Sequence, residues 1–120
     1  MKVDGIHMSW ITVSNLEKAI DYYTKVVGLN LLETSPEYGW AELGGPNGTR
    51  LGLAVANEEE GFKAGQNAVV CVTVDSLDSF KTEKKDSIQY LGEIQEVPGQ
   101  VRMQLCRDAD GNQFHIVENL

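Results

Sequence analysis

Positive charge is scarce in this chain. Ten Lys and Arg face 18 Asp and Glu, for a formal net charge of -8, and an acidic surface repels both a nucleic-acid backbone and an anionic membrane. Neither is expected as a partner, which leaves neutral or cationic small molecules. Long apolar runs are also missing. The start, Met1-Lys2-Val3-Asp4-Gly5-Ile6-His7, has one Lys and no apolar stretch, which argues against a secretory signal or a membrane span and points to the cytoplasm. Cysteine is limited to Cys71 and Cys106, far apart in strand-like segments. In a reducing compartment these are free thiols, of the sort that pack as small hydrophobes. Proline occurs only in turn-like settings, Ser35-Pro36-Glu37, Gly45-Pro46-Asn47-Gly48 and Val97-Pro98-Gly99-Gln100.

What is present is a repeat. Ile11-Thr12-Val13-Ser14-Asn15-Leu16-Glu17 returns 61 residues later as Val72-Thr73-Val74-Asp75-Ser76-Leu77-Asp78. The turn and strand from Pro46 to Leu53 return 63 residues later, from Ala109 to Ile116. One module used twice builds a ligand site from equivalent positions of its two halves. Halves of about 60 residues are marginal alone, so they pack on each other or on a second chain.

In the first module, residues 6 to 13 alternate as a strand. Ser14-Asn15-Leu16-Glu17 reads as a capping box with Ser14 as the cap. Leu16, Ala19, Ile20, Tyr23 and Val27 form one apolar helix face, and Gly28 ends the helix. Strands are expected over residues 29–34, 38–44 and 49–56. Residues 58–66, with an acidic triplet and glycines but no periodicity, read as a linker. The second module repeats the order: a strand over 67–74, a helix from Ser76 to about Lys85, and strands near 88–96, 101–107 and 113–119. The expected domain is therefore an α+β unit of two tandem βαβββ modules, 1–57 and 67–120.

These marks resemble the vicinal oxygen chelate superfamily, which includes glyoxalase I, extradiol dioxygenases, and fosfomycin and bleomycin resistance proteins. The resemblance rests on Val13-Ser14-Asn15-Leu16-Glu17-Lys18-Ala19 with Tyr22-Tyr23, on Val26-Val27-Gly28-Leu29, and on Asp108-Ala109-Asp110-Gly111-Asn112-Gln113-Phe114-His115-Ile116, where Ala109 replaces a family proline. It implies that the two modules form a curved mixed sheet with a U-shaped cleft, and in metal-dependent relatives one ligand on the first and last strand of each module. Those positions are Met8, Gly52, Val69 and His115 here. Met, Gly and Val offer no donor suited to a hard or borderline divalent cation, so neither a metal nor any other cofactor is expected. His7 would enter only by a one-residue slip that turns Ile11 and Val13 into the cleft.

Strand period places Met8, Trp10 and Thr12 on the cleft face, with Arg50, Gly52, Val69, Cys71, Gln113 and His115 from the other implied strands. Trp40 and Glu42 share a parity on the third strand, on a face that the pattern leaves open. Trp10 is either a ligand contact or a space filler between sheets, and His115 is a ligand contact, an acid–base group or a satisfied cleft residue. The resemblance implies a metal-independent binder of a small organic molecule, working as a homodimer like the bleomycin resistance proteins. The alternative it implies is a lyase, isomerase or dioxygenase of the glyoxalase type that depends on a metal or on His115.

Overall fold

The computed structural model describes residues 7–65 and 69–120. The first residue of the strand expected over 6–13, and the start of the one expected over 67–74, lie outside the described residues. The first module comprises β1 (Met8–Val13), α1 (Leu16–Asp21) running into a π-helical turn (Tyr22–Val27), β2 (Asn30–Ser35), β3 (Trp40–Gly44) and β4 (Arg50–Val55). The second comprises β5 (Val70–Thr73), α2 (Leu77–Glu83), β6 (Gln89–Val97), β7 (Val101–Arg107) and β8 (Gln113–Asn119).

Each module folds its strands into one sheet, ordered β1-β4-β3-β2 and β5-β8-β7-β6. The first strand pairs parallel to the last, and every other pairing is antiparallel. A parallel first pair needs a long crossover, which the intervening helix and strands supply. The expected α+β class and mixed sheet are thus realised as two four-stranded sheets.

Alternation decides the faces. Ile11, Val13, Ala41, Leu43, Leu51 and Leu53 of the first sheet are buried together with Cys106, Phe114 and Ile116 of the second, and with Ala19, Tyr23, Val27 and Leu77 of the helices. The register expected for β1 therefore holds, and His7 is exposed ahead of it. Within the first helical segment the predicted apolar face is the one packed inward. Its second half widens to π geometry, and Tyr22 and Tyr23 both reach Phe114, with ring centroids 6.3 and 5.7 Å away. Gly28 closes the segment at a φ of 105°, the left-handed conformation that favours glycine.

The cap is corrected by one residue. Asn15, not Ser14, accepts from the Lys18 N–H at 2.9 Å. The repeat aligns Asn15 with Ser76, which caps α2 through the Ser79 N–H at 3.2 Å. Ser14 is drawn elsewhere: its backbone N–H and its hydroxyl both donate to the Asp110 carboxylate.

That contact belongs to a seam between the modules. The Asp108 carboxylate accepts from the Tyr23 hydroxyl at 2.7 Å, the Asn112 side chain at 2.9 Å, and the backbone N–H groups of Asp110 and Asn112 at 3.0 and 2.8 Å. Asn112 also donates to the Thr12 carbonyl at 3.1 Å. Burial, and then the Asp108 charge, push the Tyr23 hydroxyl far above its ordinary range. Among the described residues no helix is long and apolar enough to cross a membrane.

Candidate functional site

Facing away from the core, the first sheet carries a row of directly paired residues, Trp10 on β1, Gly52 on β4 and Glu42 on β3, with Ala54 and Trp40 paired in the next row. Ala41 and Leu43 are wholly buried, so Trp40 and Glu42 point to the opposite side, joining Trp10 and Gly52. The face left open by the sequence is thereby fixed.

Aromatic rings cluster on this face. Trp10 stands edge-on to Trp40 at 6.4 Å and lies 4.9 Å from Phe62. Phe62 comes from the segment read as a featureless linker, held there by a bridge to Asn57. The Trp40 ring lies directly over Gly52, so that a Cβ at that position would fall 2.4 Å from Trp40 Cη2. Trp40 Nε1 donates to Glu42 at 2.9 Å, and Arg50 donates to the other oxygen of Glu42 at 2.9 Å while lying 3.5 Å from Glu33. The Trp40 hydrogen bond first, and the Arg50 one next, hold the Glu42 carboxyl below the usual range. Met8 pairs with Arg50 at the start of the same ladder.

Thr12 requires a correction. It shares this parity but is fully buried, and its carbonyl accepts from Asn112 and the Gly65 N–H. Its side chain is therefore not exposed on the face.

The second sheet offers the equivalent face. Cys71 pairs with His115, and His115 with Leu105; Thr73, Val117 and Met103 form the next row, and Gln113 and Arg107 pair on the other side. Cys71 is exposed, with its sulfur 3.9 Å from His115 Nδ1. Between the two sheets runs a groove of about 470 Å³, lined by Ser9, Thr49 and Arg50 on one side and by Val69, Cys71 and Thr73 on the other. The structure therefore gathers the predicted residues into two groups, Met8, Trp10, Trp40, Arg50 and Gly52 on one sheet, Cys71, Gln113 and His115 on the other, with Val69 beside the second group in the groove wall.

The four positions that the family resemblance implies for metal ligands do not fit one here. They supply a single donor, His115, and the Trp40 ring occupies the space in which a side chain at residue 52 would reach a cation. Among the described residues no group of three or more His, Cys, Asp and Glu is set to hold an ion.

Solved structures share this architecture. A member of the glyoxalase/bleomycin resistance protein/dioxygenase superfamily from Sphaerobacter thermophilus is 24% identical, with 98% of each chain covered and a TM-score of 0.81. TnmS3, an antibiotic binding protein from Streptomyces sp. CB03234, is 22% identical over 100% of this chain and 99% of its own, with a TM-score of 0.78. TioX from Micromonospora sp. ML1 is 22% identical over 97% of this chain and 100% of its own, with a TM-score of 0.72. No curated protein matches. The family model of the Glyoxalase/Bleomycin resistance protein/Dioxygenase superfamily matches residues 5–116, and the chain belongs to that superfamily.

Proposed function

We propose that this chain is a metal-independent binder of a small planar organic molecule, held on the face that bears Trp10, Trp40 and Phe62. One observation carries the reading: at the position where a metal-dependent relative places a ligand side chain, this chain has Gly52 covered by the Trp40 ring. An aromatic platform stands where a cation would be held, and flat π faces take up planar ligands by stacking. Glu42 and Glu33 outnumber Arg50 locally, and the net charge of -8 adds a field that favours a cationic ligand. The likeness to TnmS3, named as an antibiotic binding protein, supports the same direction.

The test is titration with a planar aromatic cation such as an acridine dye. Quenching of tryptophan emission is expected, and Trp10→Ala should weaken binding by about 1–3 kcal/mol through lost ring contact. Unchanged affinity in Trp10→Ala, or one tightly held divalent metal per chain by elemental analysis, would overturn the proposal.

We further propose a cytoplasmic homodimer. β1 and β5 are the outer strands of their sheets, and Leu31, Leu32 and Val69 are large apolar residues left about half exposed, a combination that a second copy covers. Sedimentation giving a monomer at micromolar concentration would refute it.

A further inference from the structure

We propose that Cys71 and His115 form a nucleophilic pair that captures soft electrophiles, such as α,β-unsaturated carbonyl compounds, as covalent thioethers. The pair stands apart from the aromatic face and does not rest on ligand binding there. It is built by register: Cys71 and His115 are direct partners across the parallel β5–β8 ladder, and their neighbours Val70, Val72, Phe114 and Ile116 pack on the core side. Both side chains therefore emerge on the same outer face, where the sulfur lies 3.9 Å from Nδ1. Among the described residues neither atom has another hydrogen-bond partner, so the imidazole is free to take the thiol proton. Nucleophile and base within reach of each other is the arrangement that activates a thiol.

The surroundings suit the chemistry. Cys71 forms part of the wall of the 470 Å³ groove, a volume within the usual range for small organic ligands. The charged groups near the pair are Arg107, paired to Gln113 one row along, Arg50 across the groove, and Asp75 at the groove's end. The remaining neighbours, Thr73, Leu105, Gln113 and Val117, are neutral. Arg50 is already paired with Glu42 and Glu33, which leaves Arg107 as the cation suited to a sulfur that develops negative charge.

The step balances without an added oxidant or reductant. The thiol proton passes to His115 Nδ1 as the sulfur attacks the β-carbon. The S–C bond forms, the C=C π bond breaks, and its electron pair moves to the carbonyl-stabilised α-carbon, which takes the proton back from His115. The product is a thioether carrying every atom of thiol and alkene.

Cys106 provides an internal control. It is fully buried, donates to the Gln104 carbonyl at 3.6 Å, and burial pushes its thiol up to about 11.

The experiment uses N-ethylmaleimide, itself an activated alkene, with peptide mapping by mass spectrometry. One adduct per chain on Cys71 is expected, with Cys106 unmodified, and His115→Gln should slow it by about tenfold or more at neutral pH. Labelling of Cys106 in His115→Gln would reveal an opened fold, and a second variant, His115→Asn, then decides. Equal rates in wild type and a folded His115 variant would overturn the pair. Acridine quenching in Cys71→Ser is expected to persist, so failure here is separable from failure of the aromatic face.

Discussion

Adding one methyl group at Gly52 probes the aromatic face most directly. The new Cβ would lie 2.4 and 2.8 Å from Trp40 Cη2 and Cζ2, and 2.8 Å from Trp10 Cβ. Carbon atoms rest at about 3.5–4.0 Å, so the Trp40 ring must retreat by about 1 Å or more. Trp10 has little room to share the movement, because its Cβ is fixed by the β1–β4 ladder, in which it pairs with Gly52 itself. Residue 52 is not among the glycines with positive φ, so the backbone accepts alanine and the whole cost is steric. Overpacking of this kind costs about 1–3 kcal/mol. Displacing Trp40 also stretches its 2.9 Å bond to Glu42. Gly52→Ala should therefore destabilise by about 2–3 kcal/mol in urea denaturation followed by tryptophan emission. In a Trp40→Ala background only the 2.8 Å approach to Trp10 Cβ remains, so the same methyl should cost clearly less, about 1 kcal/mol. A negligible cost in the wild type, or an equal cost in both backgrounds, would refute the placement of Trp40 over Gly52.

Two further predictions concern the seam. Asp108→Ala strands the Tyr23 hydroxyl and the Asn112 backbone N–H and leaves the Asn112 side chain only its bond to the Thr12 carbonyl; a buried donor left unpaired costs about 1–3 kcal/mol, so a loss of about 3 kcal/mol in urea is expected, and a loss under about 1 kcal/mol would contradict the network. Stability should also fall in alkali: Tyr23 and Cys106 titrate above their ordinary values when folded, so the folded chain keeps protons that the unfolded chain releases. The contribution is complete below about pH 8.5 and is lost as pH rises through 11 and beyond. Tyr23→Phe, less stable at neutral pH, should flatten the loss above about pH 10; a urea midpoint constant from pH 8 to 11 in the wild type would contradict the assignment.

Most of the fold was legible because one face of each sheet is buried. Ile11 and Val13 alternate with Trp10 and Thr12, and a slip by one residue would expose the whole set. The site was legible only in part. Parity tied Trp40 to Glu42 without choosing their face, since Ala41 and Leu43 had to be seen in the core first. Phe62 was missed because a single aromatic in a charged, glycine-bearing segment has no period to reveal it, and only the fold brings it to Trp10. The exchange of Ser14 for Asn15 at the cap is likewise tertiary: Ser14 fits the local motif, but Asp110, 96 residues away, takes it. The π-helical turn breaks no local pattern, so the apolar spacing alone read as continuous helix.

The seam also governs the order of events during synthesis. The partners of Tyr23, Ser14 and Thr12 lie 85, 96 and 100 residues further along the chain. At translation rates of about 5–20 residues per second, the Tyr23 hydroxyl waits about 4–17 s for Asp108 to be made. During that interval Cys106, Phe114 and Ile116, which share the core with the first sheet, have not been made either. Closure comes with the last strand, so the first half emerges from the ribosome as an unfinished surface, and the contacts of greatest sequence separation are the last to form.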